Sequence, residues 1–95
     1  MTQVHLISQY TDLNQLQQNL DRYAATKDTL LFIAEGVLSL TNETVHNWLK
    51  QQAYDVLLLE ADCLCRGLNA LTPPCQLISD EQMVELLVNN KNISW

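Results

Sequence analysis

Glycine and proline are scarce in this sequence, with two of each in 95 residues. Disordered and linker-rich chains are built from these residues, so neither class fits. Two isolated glycines also cannot form a glycine-rich phosphate loop. Basic residues are few as well. The five lie scattered at Arg22, Lys27, Lys50, Arg66 and Lys91, against eleven acids, for a net charge of −6. Phosphate recognition needs clustered cations, so direct nucleic-acid binding is excluded, and anionic membranes disfavour the chain for the same reason. No apolar run approaches the roughly 18 residues of a membrane span. The start, Met1-Thr2-Gln3-Val4-His5, lacks the basic and apolar regions of a secretory signal, so a cytoplasmic chain is expected. Asn42-Glu43-Thr44 and Asn92-Ile93-Ser94 fit the glycosylation pattern but carry no meaning without secretion. Three cysteines, an odd number in a reducing compartment, read as free thiols.

What is abundant is apolar surface. The chain is 47% hydrophobic and only 17% charged, richer in apolar side chains than a typical soluble domain. Its length allows a single domain spanning residues 1–95. A chain this short buries only about 60–65% of the surface it would expose unfolded, and a partner's surface is one way to widen that margin. Both facts fit a protein that works as a subunit.

Apolar runs alternate with stretches of helical period. Residues 4–7 form a short strand-like run. Asp12 is a helix N-cap with Gln15 in capping-box register, and Leu13, Leu16, Leu20, Tyr23 and Ala24 follow one helix face. Thr29-Leu30-Leu31-Phe32-Ile33 is continuous rather than alternating, as in a strand covered on both sides, and Glu35-Gly36 breaks it. A helix starts near Asn42, with Val45, Trp48 and Leu49 inward. Residues 54–59 are another strand, and residues 60–68 a short helix closed by Gly67. Thr72-Pro73-Pro74 reads as a turn and residues 75–78 as a strand. Ser79-Asp80-Glu81-Gln82 opens a last helix whose buried stripe is Met83, Leu86 and Leu87. Ile93-Ser94-Trp95 adds a short edge strand. This order predicts an α/β domain with a mostly parallel sheet of four to five strands and helices on both faces.

In such sheets ligands collect beyond the carboxyl ends of the strands, here residues 8–11, 34–37, 59–62 and 79–81. No catalytic triad is readable there. His5 and His46 sit in or near regular elements without neighbouring partners and are expected to be surface or packing residues. Cys63 and Cys65 are two positions apart, so on a helix their thiols point about 200° away from each other. They share neither a metal nor a disulfide in that arrangement, and Glu60 and Asp62 raise rather than lower a nearby thiol pKa. Cys63 is the one candidate for thiol chemistry, with a buried structural thiol as the plainer alternative. Cys75 is expected to be inert. Glu35, Glu60 and Asp62 can form an acidic cluster, but solvated helix-end carboxylates account for them without a metal. No metal or cofactor is expected, and no catalytic residue is visible.

Three features in order carry a resemblance: Leu30-Leu31-Phe32-Ile33-Ala34-Glu35-Gly36-Val37, then Glu60-Ala61-Asp62 followed by Arg66-Gly67-Leu68, and finally Trp95. On these the chain resembles the TusB/DsrH family of sulfur-relay subunits, within the wider DsrE-like group. The match is best from about residue 28 onward. The resemblance implies a compact DsrE-like fold and assembly with TusC-like and TusD-like sister subunits into a dimer of heterotrimers. That assembly passes persulfide sulfur from a TusA-like donor to a TusE-like acceptor, toward 2-thiouridine at the tRNA wobble position. The DsrH branch serves a similar relay in sulfur oxidation. In related sulfur-carrying subunits the cysteine precedes the Gly of the Arg-Gly pair by eight residues, which here is Leu59. A second family cysteine, in the first helix, aligns with Asn19. The resemblance therefore implies a non-catalytic subunit. Its alternatives are a persulfide carrier using Cys63 and a small-molecule binding module using the strand-end crevice. Alone, the chain is a candidate homo-oligomer.

Overall fold

A computed structural model describes residues 3–23, 28–68 and 75–94. The expected turn at Thr72-Pro73-Pro74, Ala24 and the terminal Trp95 lie outside the described residues. The elements are β1 (Gln3–Ile7), α1 (Leu13–Tyr23), β2 (Thr29–Phe32), a 3₁₀ segment (Ala34–Thr41), α2 (Glu43–Lys50), β3 (Asp55–Leu59), α3 (Glu60–Cys65), β4 (Cys75–Ile78), α4 (Asp80–Asn89) and β5 (Lys91–Ser94). The five strands form one sheet in the order β4-β3-β2-β1-β5, and every pair is parallel. The expected α/β domain is present, with the sheet wholly rather than mostly parallel.

Strand order decides which face each helix covers. The crossovers from β1 to β2, β2 to β3 and β3 to β4 all step in one direction, so right-handed connections put their helices on one face. The return from β4 to β5 runs the other way and puts α4 on the opposite face. Side-chain packing agrees. Ile7, Leu30, Phe32, Val56 and Leu58 meet Leu16 and Leu20 of α1, Val45 and Leu49 of α2, and Cys63 of α3 in the larger core. Val4, Leu31 and Ile78 meet Met83, Leu86 and Leu87 of α4 in a smaller one. On that second face Leu6, Ile33 and Leu57 are only half-buried, and no residue of α4 is fully buried.

The helix ends follow their local chemistry. Asp12 accepts from the Gln15 N–H at 2.9 Å, and Asn42 accepts from Thr44 and Val45 at 3.0 and 3.4 Å. Ser79 and Gln82 form the full reciprocal capping box. α3 ends in a Schellman turn, with Leu68 N–H donating to Cys63 C=O, Gly67 N–H to Leu64 C=O, and Gly67 at φ +71°. This helix is shorter than the expected 60–68 because the closing turn already occupies residues 66–68.

The 3₁₀ segment is the element the periodicity does not announce. With three residues per turn, Val37 and Leu40 fall on one line and enter the larger core, while Gly36 and Ser39 fall on the next and face β1 and its loop. Ser39 Oγ accepts from the Thr11 N–H at 2.9 Å. A Cβ on Gly36 would stand 1.9 Å from the Ile7 carbonyl oxygen. Gly36→Ala is therefore expected to lower stability by about 3 kcal/mol, measured as a fall in the urea midpoint.

At the amino end of the sheet, His5 is a buried packing residue but not without a partner: its Nε2 lies 2.9 Å from Asp28 Oδ2. Asp28 Oδ1 also accepts from the Gln3 N–H at 3.2 Å. Burial, with Asp21 and Asp28 nearby, pushes the Tyr54 hydroxyl above its usual value. Asp28→Ala removes the acceptor from two buried or half-buried donors and is expected to cost about 2 kcal/mol or more. Asp28→Asn should recover part of that loss in the same urea titration.

Candidate functional site

The carboxyl ends of the strands meet around a backbone bend after β2. Ile33 N–H donates to the Ile7 carbonyl at 3.0 Å and Gly36 N–H to the Ile33 carbonyl at 2.8 Å. Between them Ala34 stands at φ +50°, in the left-handed region that costs a side-chain-bearing residue energy. Asp62, in the first turn of α3, holds that bend: its Oδ2 accepts from the Ala34 N–H at 2.7 Å. Arg66 holds Asp62 in turn, donating to its backbone carbonyl at 3.3 Å with the two side chains 3.9 Å apart. The loop after β1 is tied to the same region, since Thr11 bonds Ser39 and the Tyr10 hydroxyl accepts from Asn42 Nδ2 at 3.1 Å.

The three candidate acids separate in role. Asp62 is half-buried and serves as a hydrogen-bond acceptor for a strained amide, whereas Glu35 and Glu60 are exposed. Among the described residues no three His, Cys, Asp or Glu side chains gather closely enough to hold a metal ion. His5 pairs with Asp28 at the opposite end of the sheet, away from these loops. That pairing spans 23 residues, and its only trace in the sequence is an acid directly preceding the strand that neighbours β1.

Leu59, the position singled out by the family resemblance, ends β3 and caps α3, and is 8% exposed. Its side chain offers no nucleophile. Cys63, one helical turn on, faces inward and is fully buried. Burial raises its thiol pKa, Asp62 adds to the rise, Arg66 opposes it and Glu60 adds again. Cys75 is half-buried against the same core, where burial and the nearby Cys63 push its thiol up to about 11. Cys65 is exposed on the far side of α3, as the two-residue spacing requires. Asn19 is half-buried on α1.

The match to known families decides the assignment. A family model described as DsrH-like protein fits residues 8–93. The chain belongs to the DsrH-like family. The fit reaches back through α1 and the loop after β1, beyond the stretch from residue 28 that carries the clearest motifs. Comparison with curated proteins gave no match. Family membership makes the chain a sulfur-relay-type subunit with a DsrE-like fold. Among the described residues no helix is long and apolar enough to cross a membrane.

The thiol environments predict an order of reactivity. At pH 8, an aromatic disulfide reagent should label Cys65 first, Cys75 slowly and Cys63 only on unfolding, as read by peptide mass. A thiol whose pKa is higher folded than unfolded holds its proton longer in the folded state. The contribution of Cys75 to stability is thus intact below pH 9 and lost as pH rises toward 11. Cys75→Ser should flatten that alkaline fall in melting temperature.

Proposed function

We propose that this chain is a non-catalytic subunit of a TusBCD-like cytoplasmic complex, a dimer of heterotrimers with TusC-like and TusD-like sisters. The complex passes persulfide sulfur from a TusA-like donor to a TusE-like acceptor, for 2-thiouridine formation at the tRNA wobble position. The observation that carries the reading is Leu59 at the end of β3, the position where the family resemblance implies the cysteine of a sulfur-carrying subunit. Persulfide transfer requires an accessible thiolate to attack the outer sulfur of the donor and expel the donor thiolate. Leu59 has no such group, and the nearest thiol, Cys63, is buried with its pKa raised. The acids around α3 also disfavour a thiolate there.

In this reading the chain contributes shape and contact surface, and a sister subunit contributes the carrier cysteine. The bend held by Asp62 and Arg66 keeps the strand ends rigid without supplying a reacting group.

Co-expression with its two sister subunits should yield one complex in which all three chains co-elute. After incubation with a persulfide-loaded donor, intact mass should show one added sulfur atom on the TusD-like chain and none on this one. Added sulfur on this chain that disappears with Cys63→Ser would make Cys63 a carrier and overturn the non-catalytic assignment.

A further inference from the structure

The second face of the sheet is covered by a single helix. Five strands span about 19 Å between the edge-strand axes, and one helix covers only about 10 Å of that width. Strand alternation places Leu57, Leu31 and Leu6 side by side on this face, on neighbouring strands β3, β2 and β1. Leu31, between the other two, is fully buried, and Leu57 and Leu6 on either side of it are half-buried, as is Ile33 nearer the strand ends.

α4 itself carries more apolar surface than it uses. Met83 and Leu87 pack on the sheet. Val84 and Val88 lie one position on, about 100° round the helix, and stand 56% and 77% exposed. The apolar surface thus continues from the buried side of α4 round one flank. The other flank is polar: Gln82, Glu85, Asn89 and Asn90 line a shallow cavity of about 270 Å³ with Leu86, and the Asn90 amide is used locally on the Leu86 carbonyl.

Charge is divided between the faces. Asp80, Glu81 and Glu85 lie on α4 and Asp55 points to the same face, because its neighbour Val56 faces the larger core. Among the described residues this face carries no Lys or Arg. Arg22, Lys50 and Arg66 belong to α1, α2 and α3 on the other side, and Lys91 points there because Asn92 pairs with Val4 on the α4 face.

We propose that the Val84–Val88 flank of α4, with Asp80, Glu81 and Glu85 around it, docks one amphipathic helix of a partner subunit whose apolar stripe is rimmed with Lys and Arg. Val84 and Val88, four residues apart, form an apolar line along α4 of the kind a helix stripe covers, and the unmixed acidic charge asks for a basic rim. A second copy of this chain is disfavoured, since it would bring Asp80, Glu81 and Glu85 against their own kind and add another −6 charge. The proposal rests on the reading that the chain works inside a relay complex, and it names the face through which it does so.

The test is assembly with the two sister subunits, comparing wild type, Val84→Asp/Val88→Asp, Glu81→Lys/Glu85→Lys, and a control, Asn14→Asp/Gln18→Asp, at exposed positions of α1. Both valines are exposed, so melting curves should show that every variant folds. The valine variant should lose affinity about tenfold or more. The lysine variant should also bind more weakly and show less dependence on salt, while the control assembles like wild type. If the complex forms and the valine variant binds unchanged, the docking surface is overturned and the relay reading stands. If wild type forms no complex, both fall. If the isolated chain dimerises and Val84→Asp/Val88→Asp abolishes the dimer, a second copy occupies the flank and the partner assignment is wrong.

Discussion

Two parallel strands can be joined only by a crossover, and the right-handed sense of that crossover fixes the face its helix covers. In this chain three successive crossovers step across the sheet in one direction and a single one steps back. Most of the structure's asymmetry follows. One face receives α1, the 3₁₀ segment, α2 and α3, and with them nearly all of the fully buried side chains. The other receives α4 alone, so its core is Val4, Leu31 and Ile78 under a helix without a fully buried residue. A domain of this size has little apolar burial to spare. A partner docked on the α4 face, as proposed, would add to that burial.

The same connectivity brings the strand ends together around a hydrogen-bonded bend. Gly36 brings the backbone after β2 against the Ile7 carbonyl, which only a residue without Cβ allows. The chain then needs Ala34 in a left-handed conformation, and Asp62 reaches across from α3 to take its N–H. The conspicuous acid of this region is thereby committed to structure. The thiol nearest to it, Cys63, is committed to packing, one turn inside α3. What remains at the end of β3 is Leu59, which closes the strand and opens the helix but has no electrons to offer a sulfur atom.

Much of this was legible in advance because it is local. Ser79 and Gln82, Asn42, and Gly67 announce their helix ends through residue type and spacing alone. The unbroken apolar runs at residues 29–33 and 54–59 declare strands covered on both sides. The 3₁₀ segment was hidden because Val37 and Leu40 repeat every three residues, which matches neither the strand nor the α-helix period. The His5–Asp28 pair was hidden because strand register, not sequence distance, brings the two together. β5 was only half visible, since Ile93 is the lone apolar residue of a polar edge strand. At the strand ends, Glu35, Glu60 and Asp62 could be listed as acids, but nothing in their spacing says that Asp62 alone serves a strained amide. The importance of Leu59 came from family resemblance; no physical feature of a leucine marks a missing cysteine.

The excess of apolar residues over charged ones, evident from composition, finds its place in this geometry. Most of the apolar surplus fills the larger core, while Val84 and Val88 stay exposed on a face whose charges, among the described residues, are all acidic. The acids keep that surface from pairing with itself, because two copies would bring Asp80, Glu81 and Glu85 together, and they leave it open to a basic partner. A subunit can shed its chemistry and remain necessary if its contacts lie elsewhere. In the proposed reading, Leu59 at the end of β3 and the exposed valines of α4 among their acids take up separate parts of one fold.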